Sequence, residues 1–261
     1  LNARPPLPLI RDDEVVQEQP DLRALTERYA AEAVRFIRDN REGPFFLYFA
    51  HMYVHLPLYA PENLVNASEN GDYGACVAGV DWVTEVLMHE LKKQGLDEDT
   101  LVIFTSDNGS RMQDQGGSNG DLRGIKGTTW EGGLRVPCIM RWPGKIPAGE
   151  VRSDITSSID FFPTLAGIAG AQVPQDTIID GTDISSLMFN AGDVEPPRDE
   201  FFYYMGNRLE AVRKGKWKLH VSREIRPDQR TGVVTQEQLD EAAGTIPGLF
   251  DLESDAGETT N

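Results

Sequence analysis

Apolar residues follow two different spacings along the first 170 residues of the chain. After Asp21, which suits a helix N-cap, they recur at helical spacing until the polar residues 39–43, and the same spacing returns over residues 72–94 and stops at Gly95. These stretches predict two helices, and a shorter one is predicted over residues 159–169. A short apolar run predicts a buried strand at residues 45–50, and further strands are predicted at residues 100–105 and 136–142.

The order of strand, helix and strand with short connections favours parallel pairing, and therefore an α/β sheet between helices. Beyond residue 197 the pattern changes to short strands at residues 201–204, 209–213 and 217–221, with a candidate fourth at 248–252. We therefore predict a mixed, mostly parallel α/β domain over residues 1–197 and a small antiparallel subdomain over residues 198–261.

Charge and composition narrow the functional classes. The chain carries 42 acidic and 25 basic residues and a net charge of -17, which disfavours any general affinity for nucleic acid or anionic membranes. No apolar run is long enough to predict a membrane span. The charge is uneven, since residues 111–145 hold six basic and three acidic residues. Cys76 and Cys138 both lie in apolar runs, which predicts buried free thiols and excludes a zinc site built from cysteines.

Residues with chemical potential follow two of the predicted strands. Asp107 and Asn108 come directly after the second strand, and their carboxylate and amide oxygens suit a hard cation such as calcium. His51 and His55 follow the first strand, and Lys126 lies in a glycine-rich loop before the third. Ligands of open α/β sheets bind beyond the carboxyl ends of the strands, where these residues fall. Taken singly, an ordinary turn, a packed histidine and a solvated lysine are the simpler interpretations.

Four segments taken together resemble a known family. In chain order they are FFLYFAHMYVHLPLYAP, DYGACVAGVDWVTEVLMHELKKQGLDEDTLVIFTSDNG, GGSNGDLRGIKGTTWEGGLRVPCIMRWPGKI and SSIDFFPTLAGIAG. Over residues 44–170 their order and spacing resemble type I sulfatases of the arylsulfatase A and N-acetylgalactosamine-6-sulfatase group. The closing LFDLESDAGETTN is similar to the family's DPxExxN pattern, with Ala256 in place of the proline.

The resemblance implies an alkaline-phosphatase-like fold and a calcium-dependent hydrolase of sulfate monoesters. Asp107 and Asn108 match the calcium-binding acid and amide of the family's DNG motif. Lys126 matches the sulfate-contacting lysine of its GKxTxxEGG motif, although Ile125 stands where the family has glycine. His55, which precedes Leu-Pro, matches the histidine that contacts the sulfate and the leaving oxygen. His51 matches no catalytic position, and His89 and His220, for which the sequence suggests no partners, are interpreted as structural.

The family's nucleophile is a formylglycine made from the Cys or Ser of a CxPxR or SxPxR motif, and neither pattern occurs in this chain. We therefore interpret the chain as the carboxy-terminal portion of a sulfatase, with the nucleophile and the other calcium ligands upstream, and expect the chain alone to be inactive. A phosphatase or phosphonate hydrolase of the same superfamily and a non-catalytic binding protein remain as alternatives. The resemblance implies an aryl or sugar sulfate as substrate and a periplasmic, secreted or, in a eukaryote, lysosomal location, with no signal peptide in this chain.

Overall fold

The computed structural model describes residues 7–111, 116–222 and 247–261, together with positions 234 and 236. The chain divides into two compact units. The first holds Leu1–Thr100 and Met112–Gly117, and the second holds Leu101–Arg111 and Ser118–Asn261. No helix in the described part of the chain is both long and apolar enough to cross a bilayer. The predicted domain boundary at residue 197 stays a prediction.

The first unit is built on two long helices, as predicted. Its elements in chain order are β1 (Leu9–Arg11), β2 (Glu14–Gln17), α1 (Leu25–Asp39), α2 (Glu62–Ala67) and α3 (Gly71–Lys93). Asp21 accepts a hydrogen bond from the backbone N–H of Arg23 and so caps the 3₁₀ turn that leads into α1. Gly95, two residues past α3, takes the left-handed conformation that ends helices, with φ 72°. Both helix predictions are therefore confirmed.

The strand predicted at residues 45–50 does not form. Its side chains alternate between half-buried and exposed positions, and Phe46 and Tyr48 are 71% and 80% exposed. The alternation indicates an extended backbone whose side chains point to opposite sides. A strand also needs a hydrogen-bonded neighbour, and none of the strands in the described ranges pairs with this segment. The prediction of a buried strand here is wrong.

An ion pair joins α1 to α3 within the first unit. The Arg38 guanidinium donates hydrogen bonds to both carboxylate oxygens of Glu90, at 2.6 and 2.8 Å, and the Gln94 amide donates to the same carboxylate at 2.6 Å. The hydrogen bond from Arg38 is the main reason that the pKa of Glu90 falls to about 2, against the opposing effect of burial.

We expect the Glu90 ion pair to make stability depend on pH in the acid range. The folded pKa of about 2 lies below the ordinary value of 4.5, so the stabilisation is present above about pH 5 and is lost as the pH falls towards 2. Urea unfolding at a series of pH values should show a shallower loss of stability for Glu90→Gln than for the parent chain. Glu85→Gln, an exposed change on the same helix, is the control, and parallel curves for the two variants would contradict the prediction.

The second unit begins with a pair of short strands. Its elements before residue 200 are β3 (Val102–Thr105), α4 (Glu131–Leu134), β4 (Cys138–Arg141), α5 (Phe161–Ile168) and α6 (Ser185–Phe189). β3 and β4 pair antiparallel, with Val102 opposite Arg141 and Thr105 opposite Cys138. The expected parallel pairing is wrong for these strands, because the described part of their connection holds only the four-residue α4 and no crossover helix. Cys138 is exposed, contrary to prediction, whereas Cys76 is buried.

The predicted carboxy-terminal sheet is confirmed. It contains β5 (Glu200–Met205), β6 (Arg208–Lys214), β7 (Trp217–His220) and β8 (Gly248–Asp251), each antiparallel to its neighbour in that order. Residues 223–233, 235 and 237–246 of the predicted subdomain lie outside the described residues.

The two faces of the carboxy-terminal sheet differ in an unusual way. On β7 the charged Lys218 and the imidazole of His220 are buried, at 0% and 1% exposure, whereas Trp217 and Leu219 are 47% and 38% exposed. Since neighbouring residues of a strand point to opposite faces, β7 turns its polar side chains inward. Burial of a charge is costly unless it is paired, so this face must contain partners for it.

Candidate active site

The predicted calcium ligands lie directly after β3. Asp107 is exposed and Asn108 is half-buried, and the Ser106 hydroxyl donates to the backbone oxygen of Asn108 at 2.9 Å. The next residue, Gly109, donates its N–H to the oxygen of Gly133 at 3.0 Å. A Cβ atom at position 109 would lie only 1.8 Å from the backbone oxygen of Gly132. Only glycine therefore permits this close approach of the DNG turn to α4.

A single amide side chain ties the DNG turn to the loop that carries Lys126. The Asn119 Oδ1 accepts from the N–H of Ser110 at 2.7 Å, and its Nδ2 donates to the oxygens of Ser110 and Gly124 at 3.1 and 2.9 Å. The backbone N–H of Lys126 itself donates to the Ser110 oxygen at 3.3 Å. The two segments that carry Asp107, Asn108 and Lys126 thus share one hydrogen-bonded scaffold.

The loop of residues 122–133, called here the Lys126 loop, is closed by its own backbone. The N–H of Gly132 donates to the oxygen of Arg123 at 2.7 Å, and the Thr128 hydroxyl donates to the oxygen of Ile125 at 2.7 Å. The Lys126 side chain is half-buried, and it forms no ion pair with any other residue that the structure describes. The backbone at Lys126 is therefore fixed, and its ammonium group has no carboxylate partner among the described residues.

His55 belongs to the first unit, in the turn after the extended segment 45–50. Its side chain is exposed, and its ring Nδ1 lies 2.7 Å from the backbone oxygen of Leu56. Its backbone N–H donates to the backbone oxygen of Met52 at 3.0 Å. A ring nitrogen fixed to a backbone oxygen in this way sets the tautomer, because Nδ1 must carry the proton. The nearby His51 is half-buried, and burial lowers its pKa.

A buried charge network lies in the second unit, and the sequence did not predict it. The ammonium of Lys218 donates to the backbone oxygen of Thr129 at 2.8 Å and to Glu131 Oε1 at 2.9 Å, and it lies 3.0 Å from Glu258 Oε1. His220 Nε2 lies 2.7 Å from the same Glu258 oxygen. All four ionisable side chains are at most 2% exposed.

Aromatic rings enclose this network. The ring of Trp130 stacks on His220 with centroids 4.1 Å apart, and the Tyr203 ring lies 4.3 Å below the Lys218 ammonium. Burial raises the pKa of the Tyr203 phenol, and so does the nearby Glu131 carboxylate. Burial also acts to raise the pKa of Glu258, but the hydrogen bond from His220 and the charge of Lys218 outweigh it, so that this pKa lies below its ordinary value.

The residues present fit a part of a calcium site. Asp107 and Asn108 offer two oxygen ligands on one turn, which is the donor chemistry that a hard cation requires. No group of three or more His, Cys, Asp or Glu side chains suited to a metal occurs within the described ranges. Because calcium takes six to eight oxygens in general, this pair can supply only a minority of its ligands.

Two sulfatase family models match most of the chain. The model described as Sulfatase matches residues 7–171, and the one described as the C-terminal region of aryl-sulfatase matches residues 196–261. The chain belongs to the sulfatase family. A model described as the C-terminal part of N-sulphoglucosamine sulphohydrolase also matches this sulfatase-family chain, over residues 126–223.

The curated relatives are longer than the chain. Steryl-sulfatase of Mus musculus is 37% identical over 99% of this chain and 44% of its own length. N-acetylgalactosamine-6-sulfatase of Mus musculus is 36% identical over 98% of the chain and 54% of its own length, and arylsulfatase A of Homo sapiens is 37% identical over 98% and 52%. The chain thus spans about half the length of these relatives, and the predicted group is confirmed.

Solved structures confirm the predicted fold class. A protein from a study of glycosaminoglycan metabolism by Bacteroides thetaiotaomicron has a TM-score of 0.80 and 28% identity, over 94% of this chain and 52% of its own. A phosphonate monoester hydrolase from Silicibacter pomeroyi has a TM-score of 0.60 and 16% identity, over 87% and 61%, which shows a common fold only. The chain therefore has the alkaline-phosphatase-like α/β fold of the sulfatases, with its small antiparallel sheet at the carboxyl end.

Proposed function

We propose that the intact protein containing this chain is a sulfatase that hydrolyses sulfate monoesters of aryl or sugar alcohols. The observation that carries the proposal is the half-buried Lys126, whose backbone N–H is bonded to Ser110 beside the DNG turn and whose side chain has no carboxylate partner among the described residues. A positive charge that is carried on a fixed loop and is not neutralised by the protein binds an anionic oxygen at little cost of reorganisation. The membership of the sulfatase family supports sulfate as that anion.

The proposed roles follow from how charge moves in a sulfate ester. As the ester S–O bond breaks, negative charge builds on the leaving oxygen, while the sulfuryl oxygens stay electron-rich throughout. Lys126 binds and orients the sulfuryl oxygens. His55, when protonated, donates a proton to the departing alcohol oxygen.

Calcium and formylglycine are the groups that the family implies. Asp107 and Asn108 would hold part of the calcium ion, which supplies a further fixed positive charge for the sulfate oxygens. Formylglycine supplies the nucleophile, and it requires a CxPxR or SxPxR motif that these 261 residues do not contain. We expect the chain by itself to release no nitrophenol from nitrophenyl sulfate and to bind calcium no better than about millimolar.

The substrate assay tests the proposal. The intact protein, purified with its formylglycine formed, should hydrolyse 4-nitrophenyl sulfate well and 4-nitrophenyl phosphate or phosphonate poorly. A phosphatase or phosphonate hydrolase, the second candidate, gives the reverse preference. A binding protein of the same fold hydrolyses neither ester. Sequencing the rest of the protein and identifying its nucleophile motif is a second, independent way to decide among the three.

Removal of the acidic ligand tests the calcium site. We expect Asp107→Ala in the intact protein to reduce bound calcium and to lower the melting temperature measured in calcium, because a metal bound only to the native state stabilises it. Metal content by mass spectrometry is the measurement. Asp121→Ala, an exposed acidic position in the same unit, is the matched control. Equal calcium content in both variants would return Asp107 to an ordinary turn.

Two further expectations belong to the same proposal. The intact protein acts in the periplasm, outside the cell or, in a eukaryote, in the lysosome.

The residues from about 198 onward form a subdomain of their own, and two observations support that boundary. β5 begins at Glu200, and the family model for the C-terminal region begins its match at residue 196.

A further inference from the structure

Glu258, three residues from the last residue of the chain, connects directly to the Lys126 loop. Its Oε2 accepts the backbone N–H of Glu131 at 2.7 Å, and its backbone oxygen accepts from the guanidinium of Arg123 at 3.0 Å. The same guanidinium lies 4.0 Å above the ring of Trp130. These contacts fall at both ends of the segment that contains Lys126. The residues after β8, 252–261, called here the tail, therefore hold the loop where its two ends meet.

The Glu258 carboxylate is also the shared partner of two buried side chains, the imidazole of His220 and the ammonium of Lys218. Its Oε1 lies 2.7 Å from His220 Nε2 and 3.0 Å from the Lys218 ammonium, and Lys218 in turn donates to the backbone oxygen of Thr129. Glu258 itself is 0% exposed. A buried N–H or ammonium that loses such a partner is costly, so the carboxylate fixes the backbone of residues 129–131 and not only its own side chain.

Movement of this backbone would reach Lys126 through the loop's internal contacts. The N–H of Gly132 bonds to the oxygen of Arg123, and a Cβ at position 132 would lie 2.6 Å from the oxygens of both Arg123 and Gly124. With so little space between Gly132 and residues 123 and 124, a shift of one of these backbone segments would move the other. Glu131 and Lys126 are only five positions apart in this closed loop. A shift of the backbone at Glu131 would therefore be transmitted to Lys126.

We propose that Glu258 is a positioning residue for Lys126, acting through Glu131 and Arg123. The inference rests on the proposed role of Lys126 in sulfate binding only for its catalytic consequence. The contact between tail and loop can be tested in the chain as it stands.

Amide hydrogen exchange of the 261-residue chain tests the contact. In Glu258→Gln, the protected amides of residues 126–133 should exchange at least about tenfold faster, while those of β5 and β6 keep their rates. Glu253→Gln is the matched control, because it makes the same substitution at an exposed position of the same tail. No change in the loop, or an equal increase in β5 and β6, would overturn the proposal. If Glu258→Gln does not fold, His220→Gln removes an imidazole partner and leaves the carboxylate, with the same expected location of faster exchange.

A double-mutant cycle in the intact protein tests the catalytic consequence. Glu258→Gln should lower turnover of nitrophenyl sulfate about tenfold, but in a Lys126→Ala background it should lower turnover no further, because the effect passes through Lys126. Multiplicative losses would overturn the positioning role. If Lys126→Ala alone leaves turnover intact, the proposed function fails, whereas the exchange result still decides whether Glu258 holds the loop.

Discussion

Replacing Lys218 by methionine is expected to lower the free energy of unfolding of the chain by about 3–5 kcal/mol. Methionine keeps most of the aliphatic volume but removes the one ammonium that faces both Glu131 and Glu258. Two buried carboxylates would then lie close together without it, and the backbone oxygen of Thr129 would lose its donor. Urea denaturation followed by circular dichroism measures the loss.

Lys216→Met is the matched control for this experiment. Lys216 lies two residues earlier, and its ammonium forms a hydrogen bond of 2.8 Å with Asp251, yet its side chain is 39% exposed. Water replaces an exposed partner, so this variant should lose far less stability than the buried one. If the two variants are equally destabilised, the network around Lys218 is no more than a surface ion pair in energetic terms.

Loss of Lys126 is expected to have the largest effect on activity. In the intact protein, Lys126→Ala should reduce turnover of nitrophenyl sulfate at least a hundredfold, on the order of 3 kcal/mol of transition-state stabilisation. The fold should persist, because the side chain forms no ion pair with the described residues and the loop is held by backbone hydrogen bonds. Steady-state kinetics and a circular dichroism spectrum are the two measurements.

Lys145→Ala controls for the change in net charge. It removes the same charge from the same basic stretch of the sequence, at an exposed position beyond β4. Its turnover should match that of the parent protein. A loss of less than tenfold for Lys126→Ala would remove Lys126 from the sulfate site, and an equal loss for Lys145→Ala would reduce its role to general attraction of an anion.

Local signals predicted the local structure well. The N-capping Asp21 and the left-handed Gly95 carry the information for a helix start and a helix stop in their own backbone preferences. The short strands predicted at residues 209–213 and 217–221 likewise form the hairpin of β6 and β7. The resemblance, rather than these signals, supplied the candidate site residues, and their roles stay predictions.

Before residue 197 strand pairing was predicted poorly, because the residues of a strand do not specify its partner. An apolar run such as residues 45–50 shows that the segment prefers an extended, half-buried environment, but not which strand lies beside it. In the described structure no strand pairs with that segment. For β3 and β4 the apolar pattern is equally silent about direction, and the returning loop makes them antiparallel.

The buried network was missed for a related reason. The pattern of Trp217, Lys218, Leu219 and His220 is that of an ordinary strand with its apolar side chains inward, and the structure has the opposite orientation. The carboxylates that make this orientation possible lie 87 and 38 residues away from Lys218 and His220. Only the EGG motif offered a signal, since its Glu131 is a conspicuous acid in a basic stretch.

The distance in sequence between the Lys126 loop and its anchor has a consequence for biosynthesis. Glu258 lies 127 positions after Glu131 and 135 positions after Arg123. Translation proceeds from the amino end at about 5–20 residues per second, so the loop emerges well before the carboxylate that fixes it. During that interval Lys218 and His220 also lack their shared acceptor. A carboxylate that is translated more than a hundred residues later therefore completes the hydrogen bonding of the Lys126 loop.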